Sequence, residues 1–325
     1  GRRAGGHGGA VTVYRWGILA TGNIASSMAE ALRLVPDAEL RAVASRRQAS
    51  ADRFARRWNI PVAYGAHDAL LADPEIDIVY VATPNALHKE NVLAALAAGK
   101  HVLCEKPLTT SVEDTMLCAE AARSAGLFLM EAMWTAFFPA MIEARALIAD
   151  GAIGHPRHLS ASFVSFRDPK QHPNLFDPAL GGGATLDLGV YPLAAAILLG
   201  GPIDRVSASV LRGASGVDEM VAMSAVHESG VLSQLSFGFR VDMPVAVRVT
   251  GDLGVLEIPS DFHRPETLRL RRGAEEEEMA LPALGNGYAH EAIEVQRCIA
   301  AGATESAIWP PRLSADIARL LEHVD

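Results

Sequence analysis

The sequence predicts an α/β protein: an N-terminal doubly wound parallel sheet of Rossmann type, followed by an α+β unit with a large open, mostly antiparallel sheet. Three observations carry this expectation. The chain has 325 residues, more than one compact core usually serves, so two sizeable cores are expected. Up to residue 132, short β-branched runs alternate with amphipathic stretches of helical length. Beyond residues 141–149, which read as a helix closed by Gly151, the pattern changes to long alternating apolar and polar runs.

In the first part, strands are expected at residues 14–19, 39–44, 76–82, 101–104 and 127–130, with helices at 24–34, 49–58, 87–98 and 112–124. Parallel strands need crossover helices of this length, and a doubly wound open sheet is the solution they reach. In the second part, residues 157–166, 205–211, 220–227, 231–239, 245–250 and 267–270 read as antiparallel strands. Glycines at 181–183 break the series before a helix at 185–199, and the tail is helical again at 290–300 and 311–323. The acidic run at 275–278 reads as a solvated turn or strand end. The expected division is a flexible tail at 1–12, a nucleotide-binding unit at 13–132 and a substrate and oligomerisation unit at 133–325. The last helices are expected to pack back on the first unit.

Composition narrows the functions. Half the residues are hydrophobic and the formal net charge is −9, so a nucleic acid or an anionic membrane surface would be repelled at long range and is excluded as the main partner. A small molecule remains. Cys104, Cys118 and Cys298 lie far apart with no paired spacing, which points to reduced thiols in a cytoplasmic protein and to no structural metal or disulfide. The most apolar stretch, 186–201, carries Asp187 and Pro192 and reads as too short to span a bilayer. No apolar core follows the Arg2-Arg3 pair, so the first ten residues read as a tail rather than an export signal.

The stretch Trp16-Gly17-Ile18-Leu19-Ala20-Thr21-Gly22-Asn23-Ile24-Ala25 follows an expected strand and opens an expected helix, as a dinucleotide-binding turn does. Its three glycine slots hold Ala20, Gly22 and Ala25. The middle glycine lets backbone approach a pyrophosphate, and alanine in the third slot still lets the helix pack on the strand. Ala20 fits if its φ stays negative. Thr21, Asn23 and Ile24 complete the turn. Where such a unit commonly ends its second strand in an acid that holds the ribose hydroxyls, this one ends Ala44-Ser45-Arg46-Arg47. Guanidinium groups there suit a ribose 2′-phosphate, and hence NADP over NAD; the alternative is that Arg46 and Arg47 begin a solvated helix.

Four further stretches carry a resemblance by their order and spacing. They are Val81-Ala82-Thr83-Pro84-Asn85 with His88; Glu105-Lys106-Pro107; Met130-Glu131-Ala132-Met133-Trp134-Thr135-Ala136-Phe137-Phe138-Pro139; and Gly181-Gly182-Gly183-Ala184-Thr185-Leu186-Asp187-Leu188-Gly189-Val190-Tyr191-Pro192. Together they resemble the Gfo/Idh/MocA oxidoreductases, and within them the dihydrodiol dehydrogenase and NADP-linked D-xylose dehydrogenase branch. The resemblance implies a Rossmann unit, a second unit whose open sheet is often the dimer surface, a cis Lys106–Pro107 bond, and NAD(P)-dependent hydride transfer on sugars or related alcohols. It implies that Lys106 is the catalytic lysine, that Asp187 is the aspartate after the glycine triplet, and that Tyr191 stands where many relatives have histidine. Thr83, Pro84, Asn85, His88 and Glu105 would border the cofactor beside the turn.

These residue types suit the chemistry. Hydride transfer from a carbinol carbon requires the hydroxyl proton to leave, so an acid or base must touch that oxygen. Asp187 and Tyr191 are four apart in an expected helix and so share a face. A nearby Lys106 ammonium favours phenolate and is expected to bring Tyr191 below the free tyrosine pKa of about 10. Trp134, Phe163, Phe166, Arg167 and Phe176 are candidates to line a sugar pocket, although core packing explains each aromatic nearly as well. Tyr288 has no assigned role. The leading expectation is an NADP-dependent dehydrogenase or reductase of a sugar, polyol or cyclic diol, acting as a homodimer or higher homo-oligomer through the second sheet. A sugar-nucleotide ketoreductase and a non-catalytic nucleotide-sensing regulator are the alternatives.

Overall fold

The computed structural model describes residues 12–322; the expected tail at 1–12 falls almost wholly outside them, as does the expected helix end at His323. Six strands form the first sheet: β1 (Tyr14–Leu19), β2 (Ala38–Ala44), β3 (Val62–Tyr64), β4 (Ile78–Val81), β5 (His101–Glu105) and β6 (Leu129–Ala132). All pairs are parallel, in the order β3-β2-β1-β4-β5-β6. The crossovers are α1 (Asn23–Leu32), α2 (Gln48–Trp58), α3 (His67–Leu71), α4 (His88–Ala97) and α5 (Val112–Ala125). Every residue of β4 is fully buried, which is why it reads as a continuous apolar run: helices cover both faces of the sheet. Neither β3 nor α3 was expected, because three strand residues and five helix residues are too few to display a period. The strand order reverses between β1 and β4, which opens a crevice at their carboxyl ends, where such sheets bind ligands.

The second part follows α6 (Pro139–Ala149) with β7 (Pro156–Val164), α7 (Val190–Gly200), β8 (Ile203–Arg212), β9 (Asp218–His227), β10 (Leu232–Gly238), β11 (Ala246–Gly251), β12 (Val255–Ile258), β13 (Thr267–Arg272) and β14 (Glu275–Ala280). These eight strands order as β14-β13-β12-β11-β7-β10-β9-β8. The β7–β10 pair is parallel and the others are antiparallel. The acidic run is not a turn. It is the edge strand β14, whose Glu275, Glu276 and Glu278 stand opposite Arg272, Arg271 and Arg269, with Arg269 Nε 2.6 Å from Glu278 Oε2. Opposite charges across the pair hold a strand that propensity disfavours, and its charge also protects the edge.

The helix expected at 185–199 begins differently. Residues Thr185–Gly189 form a π-turn, and α7 continues from it. Helical segments from Pro178 to Gly200 make an apolar run of 23 residues, so the argument that the stretch is too short for a bilayer fails. Burial decides instead: α7 packs against β7 and β10, and most of the run lies inside the fold. Finally α8 (Tyr288–Ala300) packs on α1 and α9 (Pro311–Leu321) on α5. Gln296 Nε2 donates to the Pro36 carbonyl at 2.9 Å across the first of these contacts.

Candidate active site

The nucleotide turn lies at the end of β1. Ala20 has φ +95°, contrary to the expectation of a negative value: the turn needs the conformation glycine supplies, and alanine adopts it with a strained backbone. Ala20 N–H donates to the Ala44 carbonyl at 2.9 Å, which ties the turn to β2. Gly22 caps α1 with no side-chain hydrogen bond, and a Cβ placed on it would meet nothing within 4 Å. The open space above a helix start with free N–H groups fits a phosphate. Ala25 is fully buried, so the third slot serves helix packing as expected. Arg46 and Arg47 are exposed at the end of β2 directly before α2, and neither has an ion-pair partner among the described residues. The turn, the helix start and the two guanidinium groups therefore fit a dinucleotide.

Two loops flank the crevice. Thr83 and Pro84 follow β4, and Asn85 opens a short turn leading into α4. His88 is fully buried, with Nδ1 2.7 Å from the Pro107 carbonyl and Nε2 2.8 Å from the Thr83 carbonyl. Each nitrogen faces a carbonyl oxygen, and burial lowers the ring's pKa, so the neutral imidazole donates to one of the two according to its tautomer; wedged between them, His88 packs the two loops against each other. The Lys106–Pro107 bond is cis. Glu105 is buried against the Tyr80 hydroxyl, and burial raises its pKa. Glu131 fastens the loop from its other side: Oε1 accepts Leu108 N–H at 2.8 Å, and Oε2 accepts Trp309 Nε1 at 2.8 Å and Ser314 Oγ at 2.6 Å.

Lys106 reaches from this loop to the π-turn. Its Nζ is 2.7 Å from the Asp187 carbonyl oxygen, 3.5 Å from Asp187 Oδ1 and 5.0 Å from the centroid of the Tyr191 ring. The stronger contact is to the backbone. In the i→i+5 pattern of a π-turn the carbonyl of residue 187 would seek the N–H of residue 192, which is proline and has none. The Lys106 ammonium donates to this carbonyl. Asp218 holds the start of the turn, accepting both Thr185 N–H and Thr185 Oγ at 2.6 Å.

Burial opposes the Lys106 charge, but Tyr191, Asp187 and Glu105 outweigh it and its pKa lies above the ordinary lysine value. The expectation for Tyr191 does not hold. Burial of its phenol exceeds the pull of Lys106, and its pKa is raised rather than lowered. The protein therefore holds a neutral phenol beside a lysine cation.

Rings enclose the phenol. Phe163 lies 5.4 Å from Tyr191, and His263 stacks on Phe163 at 4.5 Å while meeting Tyr191 edge-on at 5.8 Å. Trp134 stacks on Tyr288 at 4.4 Å. The Trp134 indole N–H favours the Tyr191 anion but does not meet the geometry of a hydrogen bond, and it has no other partner among the described residues. Arg167 Nη1 donates to Ser165 Oγ at 2.7 Å, and its charge reaches His263. Phe176 instead packs on Phe239 at 5.6 Å, and Phe166 is exposed. The structure thus brings Lys106, Asp187, Tyr191, Trp134 and Phe163 together, and adds His263 and Tyr288, which no sequence motif had placed there. His263 lies between strands with no periodic signal, and Tyr288 is far along the chain from Trp134, on which it stacks.

The chain is similar to known proteins along its length. The NAD-binding Rossmann family of oxidoreductases matches residues 14–133, and the GFO/IDH/MocA C-terminal domain matches residues 141–257. The chain belongs to the Gfo/Idh/MocA oxidoreductase family. Similar curated relatives include the trans-1,2-dihydrobenzene-1,2-diol dehydrogenase of Sus scrofa, 35% identical over 95% of both chains, and that of Danio rerio, 34% identical over 96% of this chain and 95% of the other. A solved 3-ketoreductase from Actinomadura kijaniata, in complex with NADP and TDP-benzene, is 31% identical with a TM-score of 0.85, covering 96% of this chain and 97% of that one. An aldose-aldose oxidoreductase from Caulobacter crescentus, complexed with glycerol, is 27% identical with a TM-score of 0.86 over 96% of each chain. This Gfo/Idh/MocA protein pairs a Rossmann sheet with a large, mostly antiparallel one.

Proposed function

We propose that this chain is an NADP-dependent dehydrogenase or reductase that moves a hydride between nicotinamide and a carbinol carbon of a sugar, polyol or cyclic diol. The observation that carries the reading is Lys106, directly after β5, held by the Asp187 carbonyl and carboxylate with its ammonium over the Tyr191 ring. The cofactor would supply or take up the hydride. Ala20 to Ile24 would hold its pyrophosphate, Ser45 and Arg46 its ribose phosphate, and the Thr83-Pro84-Asn85 and Glu105-Lys106 loops its remaining length. Tyr191, neutral because it is buried, gives its proton to a carbonyl oxygen in reduction, and its phenolate, the product of that step, takes the proton from a carbinol in oxidation. Lys106 stabilises the oxyanion that forms between these states. Trp134 and Phe163 pack on the C–H faces of the substrate and exclude water, with Arg167 at the rim.

A second reading has specific support. The 3-ketoreductase neighbour, at 31% identity, was solved with TDP-benzene, which favours a nucleotide-linked sugar as the alternative substrate. The test is a panel of free sugars, vicinal diols and nucleotide-linked sugars, each with NADP(H) and NAD(H), followed by the absorbance of reduced nicotinamide. Saturable turnover of a free sugar or diol supports the first reading, and saturation only by nucleotide-linked sugars supports the second. Tight cofactor binding with no turnover across the panel points to a regulator and overturns both.

A further inference from the structure

We propose that His263 reads a second oxygen of the substrate, next to the carbinol that Tyr191 serves. The inference deepens the oxidoreductase reading and rests on it.

The imidazole is a polar ring in an apolar seat. It stacks on Phe163 with centroids 4.5 Å apart and planes 29° apart, and it lies edge-on to Tyr191 at 5.8 Å and near Trp134 at 6.1 Å. Its backbone is pinned: the His263 carbonyl accepts Thr135 Oγ1 at 2.7 Å, and the preceding Phe262 is fully buried. Yet Nδ1 is buried with no hydrogen-bond partner among the described residues. Such an orphan loses its water without compensation, and a phenylalanine would fill the same stack at no such cost. An unpaired polar atom in a buried position calls for a partner. The second orphan nearby, Trp134 Nε1, belongs to another ring of the same enclosure. Two unsatisfied polar atoms flank one phenol among apolar rings. The ligand that satisfies such a wall presents an apolar carbon face and more than one oxygen, as a vicinal diol does.

The charge state agrees with this role. Burial lowers the His263 pKa to about 4; Asp261 opposes that shift, while Arg264, Lys106 and Arg167 add to it. The ring is therefore neutral from about pH 5 upward, and Nδ1 can donate or accept according to its tautomer. A neutral imidazole adds no charge beside Lys106, so its contribution is orientation and selectivity.

The test compares a vicinal cyclohexanediol with cyclohexanol in the unmodified protein, His263→Phe and His263→Asn. Phenylalanine keeps the stack and removes the nitrogens, whereas asparagine restores a polar group at the reach of Nδ1. The unmodified protein should favour the diol in kcat/KM, His263→Phe should lose at least about tenfold of that preference, and His263→Asn should recover part of it. Between about pH 5 and 8 the preference should not titrate, because the ring stays neutral throughout. Diol binding in the presence of oxidised cofactor, followed by calorimetry, separates the two readings. If nothing is turned over but diol binding still depends on His263, the oxidoreductase reading fails, and of this inference the contact between His263 and a diol oxygen stands while the place of that oxygen beside a reacting carbinol falls. A diol preference unchanged in His263→Phe, or no diol binding to the unmodified protein, overturns it.

Discussion

Tyr191 shows how burial and charge compete at one atom. A cation lies over its ring, which by itself would ease ionisation, but loss of water around the phenol is the larger effect and its pKa rises. The oxidation rate, which needs the proton acceptor, should therefore keep increasing with pH past the free tyrosine value of about 10, while reduction should be level below it. A basic limb in the pH profile near neutrality would identify another group as the base. Tyr191→Phe should lower turnover by about 10² to 10⁴ with the fold and cofactor affinity retained. Lys106→Met should do similar damage, and the double variant should lose far less than the product of the two if they act as a unit. Asp187→Ala should be milder than Lys106→Met in the same assay, because the carbonyl at 2.7 Å survives the substitution. Ala20 makes the opposite kind of statement. Its left-handed backbone costs about 1–2 kcal/mol that glycine would not incur, so Ala20→Gly should leave the melting temperature unchanged or raise it. A clear loss of stability would mean that the alanine methyl makes a contact worth more than the strain.

At the scale of elements, the proposed cofactor preference rests on the junction where β2 hands over to α2. Arg46 and Arg47 stand exposed, with no ion-pair partner among the described residues, at the start of a helix whose first turn carries no acid. A ribose phosphate there would meet two guanidinium groups and the positive end of the helix. NADP should bind more tightly than NAD, and Arg46→Asp should reverse the order in a titration of both cofactors; equal affinities in the unmodified protein would remove this account of the loop. The π-turn is the second such element. Asp218, reaching from β9, holds its first residue, and the turn in turn presents the carbonyl that takes Lys106. Replacing Asp218 by alanine leaves the Thr185 N–H and hydroxyl unpaired at a cost of about 1–3 kcal/mol, and turnover should fall along with thermal stability although Asp218 touches neither Lys106 nor Tyr191.

For the molecule as a whole, the C-terminal helices close the structure around the site. Glu131, at the end of the first sheet, joins the loop after Lys106 to Trp309 and to α9 through three hydrogen bonds, so the far end of the chain helps to hold the Lys106 loop. The outer face of the large sheet has the opposite character. α7 covers the inner face, where Leu159, Phe163, Leu235 and Phe237 are buried, while Ser160, Ser162, Gln234 and Ser236 alternate onto the other side. Leu211 and Leu232 are more than half exposed there or at its margin. A face of serines with exposed leucines at its margin suits a second copy of the same face. Light scattering should give the mass of at least two chains at micromolar concentration, and Gln234→Arg should lower it. A monomer in the unmodified protein would refute this account of the sheet.

The class of each long element was legible locally, because 3.6-residue and two-residue periods are properties of the segment itself and survive whatever it packs against. The β1 turn, the Glu105-Lys106-Pro107 loop and the Gly181–Tyr191 stretch could be read the same way, since each is a contiguous run of residues. What tertiary structure decided was everything that depends on two distant segments meeting. β14 is a strand because arginines on β13 stand opposite its glutamates, and nothing within 275–278 announces that. The Pro178–Gly200 run belongs to the core rather than to a membrane span because a sheet and its neighbours bury most of it. Ala20 takes a positive φ because the nucleotide turn, tied to β2, imposes it on the residue present. His263 and Tyr288 enter the site only when the loop after β12 and the start of α8 are folded over Trp134, a contact between residues far apart in the chain. Even the direction of the Tyr191 shift is a tertiary fact: sequence names the cation beside it, but the loss of water around the phenol belongs to the finished fold, and here that loss outweighs the cation.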